Sequence, residues 1–319
     1  MTTISAQIIA DSVSPDKIRL TTMQLRYPRF IHAEFMTHRV FSRNASSSRA
    51  VPVKRTIQWV TEDTAMPRHW GKNQKGMQAE QECNEPIDYV QNIPMTREQG
   101  WELSRNFAIE MALKYDKAGY HKQIVNRLLE PFAHINVVVS STKWANFFKL
   151  RDHKDAMPEI QELARAMKAA MDASKPLFLY PGDWHLPYVS DEEKHGTWLE
   201  HRYVGRDNSE EWDFKTANLE LAKISTARCA RVSYLTTEGK KPNVEEDLAL
   251  YQRLMGDPLH ASPAEHQATP DEHFLGNTFL HQWEHGNFHG WRQFRKMHPN
   301  EAVEDKRYDD AALEDFYSA

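Results

Sequence analysis

Met23, Leu25 and Tyr27 occupy alternate positions in LTTMQLRY (20–27), the period of a strand with one buried face. Pro28 interrupts it, and RFIHAEFMTHR (29–39) predicts a helix. FSRNASSSRAVP (41–52), rich in Ser and ending in Pro, reads as a loop. From Thr56 to about Pro94 no period holds, which predicts a long loop or lid. Thr96 with Gln99 three places on is a capping box. The helix it opens puts Trp101, Ser104, Ala108, Met111 and Tyr115 on one face and ends at Gly119. A shorter helix is expected over 121–129, stopping before Pro131. INVVVS (135–140) suits a buried strand, and TKWANFFKLR (142–151) turns into a helix. Pro158 opens another helix, with Ile160, Leu163, Met167 and Met171 spaced three and four apart. Residues 176–220 are again irregular, and RDNSEEWDF (206–214) reads as surface. KISTARCARVSY (223–234) leads to a helix capped by Asn243, with Glu246 three positions on. Val244, Leu248, Tyr251 and Met255 share its face and Gly256 ends it. After about Glu304 the chain is polar and acidic, and loose order is expected there. With no internal repeat or obvious linker, the pattern predicts one α+β domain over 1–319.

Composition narrows the function. At 40% hydrophobic and 27% charged residues the chain falls in the soluble globular range. The start, MTTISAQIIADSVSPDK, lacks the basic opening and long apolar stretch of a secretory signal. Two cysteines, Cys83 and Cys229, cannot build a disulfide framework and suit a reducing compartment, so a cytoplasmic location without membrane association is expected. A formal net charge of -5 argues against bulk nucleic-acid binding. A nucleotide stays possible, because one phosphate needs only a few converging Arg, Ser or backbone N–H groups.

Such a group lies in THRVFSRNASSSRAVP, where hydroxyls and exposed N–H groups can surround phosphate oxygens and Arg49 can offer a two-pronged charged contact. Alone, a Ser-rich stretch reads as a polar surface loop. The order of residue types adds to this: it resembles the signature of flavin-dependent thymidylate synthases, Arg-His-Arg followed after seven residues by Ser, usually with an Arg two further on. His38, Arg39, Ser42, Asn44, Ser47 and Arg49 match, while Thr37 replaces the first Arg and Ala45 stands where Glu is common.

Three further segments resemble the same family. In NRLLEP (126–131), Arg127 matches an Arg that reaches the nucleotide phosphate from another subunit. NFFKLRDHKDAMPEIQELA (146–164) resembles the family's Asn-x-x-x-Leu-Arg segment, in which the Arg matching Arg151 binds uracil and the Asn matching Asn146 contacts flavin. TARCARVSY (226–234) and HASPAEH (260–266) resemble flavin-contacting segments that normally precede the signature; here they follow it, as in a circular permutation.

The resemblance implies a mixed sheet with packed helices, and leaves about 52–120 and 175–222 as insertions and the chain after about 267 as an extension. It implies conversion of dUMP to dTMP with FAD, with NADPH as reductant and methylene-tetrahydrofolate as carbon donor, in a homotetramer. Arg151 is the implied catalytic residue; Glu34, Ser46, Ser47, Ser48, Arg49, Arg127 and Arg151 would bind the nucleotide. His38, Arg39, Val40, Asn44, Ser140, Thr142 and Asn146 would face the flavin, as would Ser233, His260, Ser262 and Glu265. No resident metal is expected.

The division of labour suits these residues. The cofactor carries the hard chemistry, and the protein orients three planar molecules and polarises the uracil. A guanidinium such as Arg151 stays charged and can stabilise negative charge growing on the ring. Neither cysteine suits nucleophilic attack: Cys83 lies in acidic AEQECNEP, and Cys229 suits buried packing. Ser47 has no base beside it and reads as a phosphate anchor. NFHGWRQFRKM (287–297) looks like an amphipathic helix, whose Arg292 or Arg295 could replace the charge lost at Thr37; the competing reading is a basic surface helix. Glu34 and Ala45, near the sugar in the family, could shift the substrate to dCMP or the product to a hydroxymethyl nucleotide. Two other classes stay in view. HQWEH (281–285) matches the pattern of inverted zincins, which makes a zinc peptidase the alternative. The changes at Thr37 and Ala45 would also fit an inactive flavin- or nucleotide-binding homologue.

Overall fold

The alternation of Met23, Leu25 and Tyr27 is what the fold is built on: all three are fully buried on one face of a strand at the centre of a mixed sheet. The structure is a computed structural model and describes residues 3–75, 81–90, 93–204, 210–233, 243–256, 259–299 and 301–302. In chain order β1 (Ser5–Val13), β2 (Arg19–Pro28), α1 (His32–Met36), β3 (Ser42–Ala45) and α2 (Val53–Glu62) come first. A hairpin of β4 (Ile87–Val90) and β5 (Ile93–Met95) precedes α3 (Arg97–Lys117), α4 (Lys122–Val125) and a 3₁₀ turn, Asn126–Phe132. Then come β6 (His134–Ser141), α5 (Ala145–Arg151), α6 (Pro158–Ala173) and β7 (Leu177–Phe178). The sheet order is β3-β6-β2-β1-β7, antiparallel except where β7 joins β1. The fold is α+β, as expected.

The two faces of this sheet differ in chemistry. On the first, Met23, Leu25 and Tyr27 lie across from Val139, Val137 and Ile135 of β6. They pack under Ile160, Leu163 and Met167 of α6, with Phe35, Phe41 and Phe147 beside them. The opposite face carries Thr22 paired with Ser140, and it is closed by the second half of the chain. That half contains α7 (Asp191–Glu200), the hairpin β8 (Arg202–Val204) and β9 (Glu210–Trp212), α8 (Phe214–Ala230) and α9 (Val244–Leu254). Two short pairings end it, β10 (Ala268–Pro270) with β13 (Trp291–Gln293) and β11 (His273–Leu275) with β12 (Thr278–Phe279). Cys229 and Val232 at the end of α8 pack on Val138. A line of buried polar contacts crosses this face: Ser12 Oγ to His185 Nδ1 at 2.8 Å, His185 Nε2 to Thr22 Oγ1 at 2.8 Å, Thr22 Oγ1 to Ser140 Oγ at 2.6 Å, and Ser140 Oγ to His266 Nδ1 at 2.8 Å.

Several expectations need correction. The helix over 29–39 is a 3₁₀ turn, Arg29–Ile31, followed by five residues of α1; it stops at Thr37, whose hydroxyl donates back to Glu34 O at 2.7 Å. The loop at 41–52 begins with strand β3, which polar residues hid. The supposed lid begins inside α2 and ends in the β4–β5 hairpin. The capping box at Thr96 and Gln99 is present, but Met111 is exposed and Ala112 is the buried member of α3. The 3₁₀ turn runs through Pro131 instead of stopping before it. The stretch 176–220, expected to be irregular, contains α7, opened by a Ser190–Glu193 capping box, and the start of α8. Helix α8 shows no amphipathic period because it is buried nearly all round, from Ala217 to Cys229. Residues 287–297 form no amphipathic helix: Gly290 turns at φ +74°, and β13 and the 3₁₀ turn Phe294–Met297 follow. The tail after Glu304 lies outside the described residues.

Candidate active site

Strand β3 is the edge on which distant segments meet. Its alternation sends Ser42 and Asn44 to one side. Asn44 Nδ2 donates to Cys229 O at 2.7 Å, and Ser262 Oγ donates to Asn44 Oδ1 at 3.4 Å. Ser42 Oγ, fully buried, accepts from Gln293 Nε2 at 3.1 Å and Asn287 Nδ2 at 3.4 Å. Gln293 Nε2 also reaches Glu265 O at 3.1 Å. The segments 226–233 and 260–266 are thus seated on the signature strand, although 185 residues separate Asn44 from Cys229 and 218 separate it from Ser262. Ser140 belongs to the same assembly through His266. His260 and Ser262 are exposed, and Ser233 ends a 3₁₀ turn beside β6.

Arg151, at the last position of α5, donates from Nε to His38 Nε2 at 2.9 Å and from Nη2 to Thr37 Oγ1 at 3.2 Å. His38 is held between Phe41, stacked at 5.8 Å, and the edge of Phe147 at 4.9 Å. Burial, then the charges of Arg151 and Arg43, push the His38 pKa down to about 4. The ring is therefore neutral, and its Nε2 lone pair can accept from the guanidinium. Thr37 stands where the signature has Arg, and its short side chain lets Arg151 reach it.

The 46–49 turn is braced from beneath. Ser46 Oγ accepts from Asn136 N at 3.1 Å, and Ser48 Oγ donates to Glu130 Oε1 at 2.6 Å. Asn126 Nδ2 donates to Ser48 O at 2.7 Å and Val51 O at 2.9 Å. Ser47 Oγ accepts from Arg49 N at 3.3 Å, so all three hydroxyls expected to surround phosphate are engaged by protein groups. Arg49 is exposed, and so is Arg127, the neighbour of the bracing Asn126. Arg39, Val40 and Asn146 are exposed as well. The braces Asn126, Glu130 and Asn136 escaped the sequence reading; the signal available was the polar Asn beside Arg127.

Glu34 Oε2, Thr142 Oγ1 and His266 Nε2 are buried without a hydrogen-bond partner. Native folds rarely leave such atoms unpaired, and the polar set on β3, Asn44 with Ser262, beside exposed Arg39 and Asn146, has the donors and acceptors a polar cofactor needs. The arginines offered as substitutes at Thr37 are otherwise engaged: Arg292 pairs with Glu284 at 2.6 Å, and Arg295 pairs with Glu265 and Glu301. The zincin pattern is not on a helix. His281 and His285 each bind a different oxygen of buried Asp271, both at 2.9 Å, and among the described residues no group of three or more His, Cys, Asp or Glu could hold a metal.

Residues 14–177, just over half the chain, match the family model described as thymidylate synthase complementing protein. No curated protein matches the chain. Among solved structures it is similar to the crystal structure of a UMP/dUMP methylase, PolB, from Streptomyces cacaoi bound with 5-Br dUMP, at 16% identity and a TM-score of 0.38, over 56% of this chain and 92% of that one.

Proposed function

The chain belongs to the thymidylate synthase complementing protein family, and from that premise we propose that it methylates C5 of dUMP to give dTMP, with FAD as cofactor, NADPH as reductant and methylene-tetrahydrofolate as carbon donor. The observation that carries this reading is Arg151 locked to neutral His38 at the start of β3, whose other end leads into the braced 46–49 turn. The flavin, when bound, would supply the redox and one-carbon carrying chemistry. Asn44, Ser262, Glu265, Arg39, Val40 and Thr142 would hold it, with His38, Ser140, Asn146, Ser233 and His260 around them.

The chain's own residues have defined tasks in this reading. His38, kept neutral, uses one Arg151 N–H and so orients the guanidinium, which stays charged at any working pH. Arg151 then faces the uracil and stabilises negative charge that develops on the ring in the transition state. Arg49, Arg127 and Ser47 take the phosphate, and Glu34 the sugar side. Cys229 has no part, because burial raises its thiol pKa and leaves little thiolate. The seating of 226–233 and 260–266 on β3 supports a circularly permuted order within one catalytic domain. A homotetramer in the cytoplasm completes the proposal; among the described residues no helix is long and apolar enough to cross a membrane.

A second reading keeps the site and changes the nucleotide. Glu34 Oε2 is buried without a partner, and a carboxylate accepts where an amide could also donate. Glu34 and Ala45 both stand where the family has other residues, and the second reading takes the nucleotide to be dCMP. Incubating the protein with FAD, NADPH, methylene-tetrahydrofolate and either dUMP or dCMP, followed by mass spectrometry, decides between them. A one-methylene mass gain on dUMP is expected. No product from either nucleotide would leave an inactive binding homologue and overturn both readings.

A further inference from the structure

A cavity of about 630 Å³ opens between the turn at 180–183, α7, the start of α8 and the β10–β13 pair. All of its wall residues lie between Pro181 and Met297, outside the 14–177 family match. None of them is among the residues assigned above to nucleotide or flavin. The neutral polar groups of the wall bond to one another and set its shape. Thr269 Oγ1 accepts from Gly182 N at 2.9 Å, and Asn218 Nδ2 donates to Gly182 O at 3.1 Å. Asn218 Oδ1 accepts from Trp198 Nε1 at 2.9 Å. An antiparallel bridge between His185 and Ala268 ties the 181–185 segment to β10. Recognition is therefore left to the rings and the charges.

Trp184, Trp198 and Phe214 form the apolar wall. Trp198 and Phe214 meet at 5.7 Å with their planes at 83°, so the cavity has two ring faces nearly at right angles. Phe214 is 49% exposed and both tryptophans are half-buried. Aromatic walls around a space of this size fit a small molecule, whose pockets run from about 300 to 1,000 Å³.

The charges decide which kind. Arg292 is paired with Glu284 at 2.6 Å. Lys215 stands in the first turn of α8, beside its cap Asp213. The Asp213 carboxyl is held below its usual range first by Thr216, which donates to it from Oγ1 at 2.6 Å and from N at 3.0 Å, and further by the charges of His201 and Lys215. One acid thus offsets both the helix N-terminus and Lys215. Asp183 and Glu272 remain. Asp183 Oδ2 accepts from Tyr180 N at 2.9 Å, and among the described residues neither carboxylate is ion-paired. Two carboxylates without cations, next to exposed ring faces, suit a flexible chain that carries more than one ammonium group. Its methylenes can lie on the rings while its ammonium groups meet carboxylates or ring faces.

We propose that this cavity binds an aliphatic polyamine, with ammonium groups at Asp183 and Glu272 and the methylene chain against Trp184, Trp198 and Phe214. The site stands whether or not the chain methylates dUMP.

Calorimetric titration of the full-length protein with spermidine tests this, at about 0.15 M salt so that general surface attraction is screened. Spermidine is expected to bind one to one, and butylamine, which keeps one ammonium, about tenfold more weakly or worse. Asp183→Asn and Glu272→Gln should each weaken spermidine about tenfold, and Phe214→Ala about fivefold. Absence of binding at millimolar spermidine, equal affinity for butylamine, or undiminished binding by a folded protein carrying both Asp183→Asn and Glu272→Gln each overturns the proposal. Displacement of spermidine by an equal concentration of magnesium chloride would mark a general acidic surface and also overturn it. The butylamine and magnesium comparisons use unaltered protein, so a variant that fails to fold leaves the test intact.

Discussion

Lowering the pH from 7 to 5 should cost this chain about 4 kcal/mol of folding stability through His185 and His266 alone. Both rings are essentially unexposed, and their hydrogen bonds are to hydroxyls: Ser12 and Thr22 for His185, Ser140 for His266. Burial pushes each pKa down to about 3; Asp11 opposes this at His185 while Lys194 reinforces it, and His185 adds to the depression at His266. In the unfolded chain both return to about 6.5. The folded pKa is the lower one, so the unfolded chain binds more protons between about pH 3 and 6.5. The contribution is complete above pH 6.5 and is lost as the pH falls toward 3. At pH 5 each ring costs about 2 kcal/mol, and two cost a large part of a typical 5–15 kcal/mol stability. His32, His38 and His134, held down to about 4, steepen the loss. Urea unfolding at intervals from pH 7.5 to 5 measures it, and His266→Gln should reduce the slope by one proton, about 1.4 kcal/mol per pH unit. Stability level across that range, or a slope unchanged by His266→Gln, would refute the account.

Arg151→Lys should lower kcat by about 10²-fold with little change in flavin binding, since a lysine cannot hold both His38 and the uracil; steady-state kinetics beside flavin absorbance check this. Arg49→Ala or Arg127→Ala should raise the dUMP KM about tenfold or more and leave kcat near its starting value, by loss of a charged phosphate contact. Asp247→Ala takes one of two carboxylates from the buried Arg228 guanidinium, which meets Asp247 at 2.8 Å and keeps Glu193 at 2.7 Å; about 1–3 kcal/mol should be lost in urea unfolding, and a loss near zero would contradict the pairing. Cys229→Ala should leave nucleotide methylation intact, and abolished turnover would return a thiolate mechanism to consideration.

What could be read in advance followed the strength of local pattern. β2, β6, α3, α6 and α9 were legible because each carries one period, a cap or an alternation: the Asn243 side chain accepts from Glu245 N at 2.9 Å as its cap role requires, and Pro158 opens α6. β3 was missed because SRNA has no apolar period; its pairing is set by β6, and its side chains serve the site. α8 was missed for the opposite reason, since burial on every side erases amphipathicity. The neutral state of His38 and the inward turn of Ser46 and Ser48 are tertiary facts, set by Arg151, Asn136 and Glu130 from elsewhere in the chain. The mistaken helix at 287–297 had a good apolar period, overruled by Gly290, where a Cβ would stand 2.5 Å from Ile18 Cδ1.

The division between the two faces of the sheet explains why the site is where it is. The face under α5 and α6 is closed mainly by apolar side chains, and Phe147 and Phe41 stand in that cluster behind His38. The opposite face is lined by Thr22 and Ser140, which an apolar cover would leave unsatisfied. His185 and His266 satisfy them, and these come from the half of the chain that lies outside the 14–177 family match. The first half therefore cannot complete its own sheet: cut away from α8 and 260–266, it would expose buried hydroxyls and Val138 together. A fragment ending near residue 177 should accordingly aggregate or bind no flavin, while adding back residues 178–302 as a separate chain should restore both solubility and flavin absorbance. If the isolated first half folds and binds flavin by itself, the second half is an appendage and the shared-site argument fails.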